Sequence, residues 1–265
     1  MNAFLNLNNK TILLTGASGF IGKNLLGHLI NQKCKLILIL RNKESLRKIK
    51  SFSSHKRVFI FFADLNIEKE LDKILSEIKN EFLSIDGIIN LASDNSGLGS
   101  AKNKDEFNKF TNAFNNNLFG PIKIVLTLKK LLQKNKTLYN CASVINVSSI
   151  YGNLSPDQNI YKNSKFVNPI DYGCSKASQI HMSKYFANDQ SFKNVRFNNI
   201  ILGPIPNQNK NFNKQIFREK LLKKIPLGRF GRPDDIIGVV FLLLSSESSF
   251  ITGSSITIDG GWSSS

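Results

Sequence analysis

Cysteine is scarce in this 265-residue chain. The three present, Cys34, Cys141 and Cys174, are too few and too scattered for a disulfide framework or for metal-ligand spacing. No metal site is read, and an odd, sparse set of thiols fits a reducing compartment. Long apolar runs are also missing. The longest candidates, such as Leu36 to Leu40, are strand-sized and too short to cross a bilayer. Residues Met1 to Lys10 lack a basic start followed by an apolar stretch, so no secretory signal is read. These absences set the expectation of a cytoplasmic protein with no membrane partner. No internal repeat, low-complexity tail or linker breaks the chain, so one domain over 1–265 is expected. Acidic residues run short: 19 Asp and Glu stand against 36 Lys and Arg, a formal charge of +17. That balance invites a nucleic-acid reading. The lysines are spread along the chain, however, with no dense basic run and no nucleic-acid motif. No nucleic-acid partner is expected, and lysines solvated on outer helices explain the charge. A narrower reading is attraction of anionic ligands, such as a phosphorylated cofactor or sugar.

What is present is an alternation. Hydrophobic residues make up 41% of the chain, in keeping with a globular protein. Apolar runs at Lys10 to Thr15, Lys35 to Leu40, Val58 to Phe62, Ile85 to Leu91, Ser143 to Ser148, Val195 to Leu202 and Ile256 to Asp259 read as strands. Between them, helical spacing predicts helices over Ile21 to Gln32, Ser45 to Lys50, Glu68 to Asn80, Asp105 to Lys134, Tyr172 to Asn188 and Pro233 to Ser245. Strands apolar throughout, alternating with helices, predict an α/β fold. This is a doubly wound, Rossmann-type domain with a mainly parallel seven-stranded sheet and helices on both faces. Asn153 to Pro169 and Pro204 to Lys214 lack periodicity, and long unpatterned loops in such domains often bind substrate. Substrate loops are therefore expected near 153–169 and 204–230.

The first turn reads Gly16-Ala17-Ser18-Gly19-Phe20-Ile21-Gly22. Glycines there allow a tight turn and let backbone N–H groups approach a pyrophosphate, with the positive end of the next helix behind them. After a strand and before an amphipathic helix, the segment meets the context test for dinucleotide binding. An acid at the end of the second strand would bind the ribose hydroxyls of NAD. Here Leu40 is followed by Arg41, whose fork can hold a 2′-phosphate. NADP(H) is thus expected in preference to NAD(H), against the competing view of Arg41 as a solvated surface arginine. Asp64 is placed to meet the adenine ring, or else caps the next helix.

Tyr172 and Lys176 share a helix face at i, i+4. A phenol titrates near 10, and a neighbouring ammonium stabilises the phenolate and makes it a usable proton donor or acceptor. Lys176 can also bind the nicotinamide ribose. Ser149 ends a strand, where ligands collect in an open α/β sheet, and its hydroxyl can hold a substrate oxygen. Asn117 can hold a water linking Lys176 to solvent, or is a plain surface residue in an asparagine-rich chain.

In order and spacing these features resemble the short-chain dehydrogenase/reductase family, in its compact branch, over nearly the whole chain. The matching residues are the glycine turn, Asp64-Leu65, Asn90 with Ala92, Asn117, Ser149, Tyr172 with Lys176, Gly203, and the ending Ile251-Thr252-Gly253 with Asp259-Gly260-Gly261. The resemblance implies a catalytic tetrad of Asn117, Ser149, Tyr172 and Lys176. It also implies that the backbone after Gly203, including Ile205, meets the nicotinamide amide. A homotetramer or dimer is implied too, with the Asn117 and Tyr172 helices and the C-terminal segment at interfaces; Trp262 and the apolar stretch Ile236 to Leu244 support it.

Three departures stand out: Gly19-Phe20 displaces the usual middle glycine, Asn90-Leu91-Ala92-Ser93 replaces Asn-Asn-Ala-Gly, and Leu202-Gly203-Pro204 displaces Pro-Gly. The gap between Ser149 and Tyr172 is longer than usual. With Ser148-Ser149-Ile150-Tyr151-Gly152, Ser155-Pro156-Asp157 and Ile160-Tyr161, it looks similar to reductases of flagellin modification and surface-polysaccharide sugar synthesis. The expected reaction is hydride transfer between a nicotinamide and a carbonyl/alcohol of a sugar or sugar phosphate, a small-molecule substrate. One alternative is a 3-oxoacyl-thioester (acyl-carrier-protein) reductase; another is a non-catalytic NADP-binding sensor or scaffold. The insert is read equally as a substrate loop or as surface decoration.

Overall fold

A computed structural model describes residues 5–93, 106–134, 136–162, 168–207 and 215–264. Seven apolar stretches form strands: β1 (Thr11–Thr15), β2 (Lys35–Leu40), β3 (Val58–Phe62), β4 (Gly87–Asn90), β5 (Ala142–Ser149), β6 (Val195–Leu202) and β7 (Ser255–Ile258). They lie in the order β3-β2-β1-β4-β5-β6-β7, and every pairing is parallel. The expected "mainly parallel" sheet is therefore parallel throughout. The order reverses direction between β1 and β4, and in such sheets ligands gather beyond the carboxyl ends of the strands at this crevice.

Helices cover both faces. One face carries α1 (Phe20–Asn31) and α11 (Ile237–Leu244); the other carries α4 (Glu68–Glu81), α6 (Gly120–Thr127), α7 (Lys129–Gln133) and α9 (Ile170–Asn188). Alternation in β1 decides which neighbours each side chain meets. Ile12 and Leu14 join Leu25, Leu26 and Leu29 of α1, while Leu13 joins Leu71, Ile74 and Ile78 of α4. Each fully buried leucine or isoleucine contributes roughly 1.5–3 kcal/mol, which is why both faces of these strands read as apolar.

The remaining helices are shorter: α2 (Lys43–Lys48), α3 (Lys50–Ser53), α5 (Glu106–Phe114), α8 (Gln158–Tyr161) and α10 (Gln215–Leu222). Two differences from the sequence reading bear on the site. The region 105–134 is not one helix. Its start at Asp105 lies outside the described residues, α5 runs into a widened π-type turn over Asn115–Phe119, and a break at Leu128 separates α6 from α7. The expected loops near 153–169 and 204–230 are also partly helical, containing α8 and α10; their residues 163–167 and 208–214 lie outside the described residues.

Candidate active site

The turn after β1 is built for close backbone approach. Gly16 adopts φ +75°, and a Cβ there would lie 2.6 Å from the Ala92 nitrogen. A Cβ on Gly22 would lie 2.1 Å from the Gly16 carbonyl oxygen. Neither position admits a side chain. The Thr15 hydroxyl accepts hydrogen bonds from the Leu91 and Ala92 N–H groups at 3.2 and 3.1 Å, closing the crevice between β1 and β4. Helix α1 opens at Gly19 with no side-chain cap, leaving first-turn N–H groups for an anion. The displaced glycine is accommodated simply: Phe20 is exposed, and Gly19 sits at φ −74°, a conformation open to any residue. Ser18 lies in the same turn.

Around this turn the other expected cofactor residues line the carboxyl edge of the sheet. Arg41, just past β2, pairs its Nε with Asp64 Oδ2 at 3.5 Å. Asp64 also accepts from the N–H and side-chain amide of Asn66 at 2.9 and 2.8 Å, so it shapes its own turn. Leu65 is buried against Gly120, whose Cβ would sit 3.2 Å away. Asn90 donates to Asn146 Oδ1 at 2.7 Å, but its own Oδ1 is buried with no partner. Gly203 passes Asp259 so closely that a Cβ would lie 2.6 Å from that residue's Cα, and Ile205 packs on Gly231. A turn packed too tightly for a Cβ at Gly16 or Gly22, an uncapped helix start and the unpartnered Asn90 oxygen together fit a bound dinucleotide.

The four expected catalytic residues converge at the ends of β5 and α9. Ser149 closes β5 and is nearly buried; its oxygen accepts from the Tyr151 N–H at 3.2 Å. Tyr172 lies in the first turn of α9, after Pro169, with its phenol near enough to Ser149 for that hydroxyl to favour the phenolate. Lys176, one turn on, is 3% exposed. Its Nζ donates to the Val147 carbonyl at 2.8 Å and to Gln179 Oε1 at 3.0 Å, and lies 5.9 Å from the centre of the Tyr172 ring. Asn117 sits on the widened turn, fully buried. Its Nδ2 donates to the Ser175 hydroxyl at 2.9 Å, while its Oδ1 has no partner. A plain surface asparagine is thereby excluded.

The electrostatics correct one expectation. Lys176 is expected to lower the pKa of Tyr172, yet the phenol is shifted up. Burial is the main cause, opposed by the hydrogen bond to Ser149. The lysine does not offset it, because a group that titrates near 7 has lost its charge before the phenol titrates. Burial also pulls Lys176 itself down to about 7.

Beside this group stands a wall that the sequence only hinted at. The Tyr151 and Tyr161 hydroxyls are 2.9 Å apart, and Tyr161 is also hydrogen-bonded to Asn168, whose Oδ1 is buried and unpartnered. Ile160 and Tyr161 of α8 pack with Phe217 and Leu221 of α10, Ile225 and Trp262, and Asp157 pairs with Lys224 at 3.0 Å. The two expected loops thus fold onto one another. Gln179, Asn168 and Tyr161 went unassigned in the sequence reading. The signal for Gln179 was the polar stripe Ser175, Gln179 and Ser183 at i, i+4 spacing.

Crevice, glycine turn and buried polar cluster define a dinucleotide-dependent oxidoreductase. Residues 16–263 match the family model described as enoyl-(acyl carrier protein) reductase, and the chain belongs to the short-chain dehydrogenase/reductase family. It is 28% identical over 259 residues to a 3-oxoacyl-(acyl-carrier-protein) reductase of Thermotoga maritima, covering 97% of this chain and 99% of that protein. It is also 28% identical over 262 residues to post-translational flagellin modification protein A of Campylobacter coli, again covering 97% and 99%. Among solved structures, a short-chain dehydrogenase of Leptospira borgpetersenii with bound NAD+ is similar at 29% identity and a TM-score of 0.82, covering 99% of this chain and 96% of that one. The protein is an NAD(P)-dependent oxidoreductase acting on a small molecule.

Proposed function

We propose that the protein reversibly reduces a carbonyl of a sugar or sugar phosphate, in the modification of a cell-surface glycan or flagellin. The observation that carries the reaction class is the convergence of Ser149 and Tyr172 beside a buried Lys176, at the carboxyl edge of the sheet. Ser149 holds the substrate oxygen, and Tyr172 gives it a proton or removes one. Lys176 steadies the phenolate while the proton is away and holds the nicotinamide ribose. Asn117, through its unpartnered oxygen, holds a water that links Lys176 to solvent. When bound, the nicotinamide supplies or takes the hydride; the protein supplies orientation and electrostatics. Gly16, Ser18, Gly19, Phe20, Ile21 and Gly22 hold the pyrophosphate, Arg41 the 2′-phosphate of NADP(H), Asp64 and Leu65 the adenine, and Asn90, Ala92, Gly203 and Ile205 the nicotinamide half.

The polar wall of Tyr151, Tyr161 and Asn168 supports a hydroxylated substrate, which can exchange hydrogen bonds with these groups where an acyl chain cannot. The 3-oxoacyl-thioester reading is favoured by the similarity to the Thermotoga reductase. Consumption of NADPH against panels of sugar ketones and acyl-thioester ketones separates the two. Turnover confined to the acyl panel sinks the sugar reading. Tyr172→Phe abolishes turnover while leaving NADPH binding intact; retained turnover sinks the mechanism, and a wild-type protein that binds NADPH yet reduces nothing points to a sensor.

We also infer a cytoplasmic homo-oligomer, a tetramer or dimer. Leu126, Tyr185 and Phe119 expose apolar surface on the α6 and α9 side, along a groove of about 750 Å³ lined by Leu118, Ile122, Met182 and Phe186.

A further inference from the structure

Gln179 is completely buried, one turn beyond Lys176 on α9. Its Oε1 accepts a hydrogen bond from the Lys176 ammonium at 3.0 Å, while its Nε2 is enclosed with no partner among the described residues. A buried amide with an unpaired N–H₂ is unfavourable, and a leucine would fill the same space without that penalty. What the glutamine offers is its oxygen. An ammonium has three protons and no acceptor capacity. Here one proton goes to the Val147 carbonyl, one to Gln179, and the third is left for the side where Tyr172 lies. The groups facing Lys176 are few. β5 presents the Val147 carbonyl and Ser148, whose hydroxyl donates to the lysine's own carbonyl at 2.7 Å. α9 presents Tyr172 and Gln179, and the widened turn presents Asn117 by way of Ser175. Among the described residues no carboxylate contributes to the electrostatics of Lys176, whose shift has burial as its cause.

We propose that Gln179 is a positioning residue: it fixes the Lys176 ammonium beside Tyr172 through an uncharged acceptor, so that the lysine is held in place without being locked in its charged form. This rests on the roles given above to Tyr172 and Lys176. A glutamate at 179 would hold Lys176 equally well but would stabilise the ammonium, whereas a methionine would fill the space and hold nothing.

Two variants therefore move one property in opposite directions. The readouts are the dissociation constant of NADPH as a function of pH, followed by nicotinamide fluorescence, and the pH profile of kcat for the ketone that responds best in the screen. In Gln179→Glu the limb assigned to Lys176 moves alkaline by about one to three pH units. In Gln179→Met it moves acid, and kcat falls about tenfold with a smaller change in the substrate KM. Loss of a merely structural contact would not reverse the sign. A wild-type limb in either folded variant, or shifts of the same sign in both, overturns the proposal, and the methionine variant alone decides if the glutamate fails to fold. Tyr172→Phe separates the two levels: if it is inactive while the limb ignores residue 179, only the role of Gln179 fails. If it stays active, both fail.

Discussion

Replacing Arg41 with alanine should shift the balance between the two nicotinamide cofactors. Arg41 and Asp64 form an ion pair at 3.5 Å, with side chains 51% and 25% exposed. At that exposure the pair stabilises the free protein by less than about 1 kcal/mol. A 2′-phosphate at the same guanidinium makes charge-assisted hydrogen bonds worth roughly 1.5–3 kcal/mol. Releasing Asp64 offsets part of this, leaving a net gain of about 1–2 kcal/mol, or a factor of roughly 5–30. Arg41→Ala should weaken NADPH by about that factor and leave NADH within roughly twofold, read by fluorescence titration of both cofactors at low salt. Asp64→Asn should act oppositely. It removes a carboxylate near the phosphate and frees Arg41, while keeping an oxygen for the Asn66 N–H, so NADPH tightens severalfold. At about 1 M salt, where the screening length is about 3 Å, both effects should shrink. A ratio of NADPH to NADH affinity unchanged in Arg41→Ala refutes the reasoning and places cofactor choice elsewhere.

Lys176 gives a pH signature to the cofactor-free protein. Its folded pKa of about 7 lies below the unfolded value near 10.4, so between those pH values the unfolded chain binds the extra proton and stability rises with pH, by at most about 1.4 kcal/mol per unit. Urea unfolding across pH 6–10 should show this rise in the wild type and lose it in Lys176→Met; identical slopes contradict the burial argument. Arg196 is 4% exposed, with no ion pair found for it among the described residues, and its guanidinium donates to the Leu243 and Ser245 carbonyls at 2.8 and 3.1 Å, at the C-terminal end of α11. Arg196→Leu removes the donor to the Leu243 carbonyl, while Ser245 keeps the Ser248 hydroxyl, and should lower stability by about 1–3 kcal/mol; a loss under about 0.5 kcal/mol in urea would mean that water replaces the arginine. Tyr185→Glu combined with Leu126→Glu should dissociate the oligomer in sedimentation at micromolar concentration, and a wild-type monomer would remove the assembly altogether.

Strands were legible because a parallel sheet covered on both faces demands unbroken apolar runs, and those runs survive in a lysine-rich chain. Helix interruptions were not. The Asn115–Phe119 turn looks like more helix in sequence, because no glycine or proline interrupts it. Helix α10 escaped because Phe217 and Leu221 are buried by α8 and Trp262, partners distant in sequence. Arg41 and Asp64 were each singled out, yet nothing in a linear reading joins the ends of β2 and β3. The direction of the Tyr172 shift was missed for a related reason: i, i+4 spacing says that two side chains share a helix face, not how deeply the fold buries them.

Asparagine abundance hid the feature that orients the site. One register row crosses the sheet as Thr15, Asn90, Asn146, Asn199 and Ser255. Asn90 bonds Asn146 at 2.7 Å; Asn146 donates to Ser183 of α9 at 2.7 Å; Ser183 donates to Asn199 at 2.8 Å; and Asn199 reaches the Ser255 hydroxyl at 3.2 Å. Apolar burial is non-directional and would hold α9 against the sheet through Met182 and Phe186 without fixing its rotation. A buried hydrogen-bond chain does fix it, since any rotation leaves amides unpaired in a low-dielectric interior. Ser183 lies two turns along the same helix from Lys176, and the stripe continues through Gln179 and Ser175 to the turn that carries Tyr172. The same contacts that make this sheet unusually polar for a parallel one therefore set the register in which Tyr172 meets Ser149, and Asn117 joins that stripe from the opposite helix through its bond to Ser175.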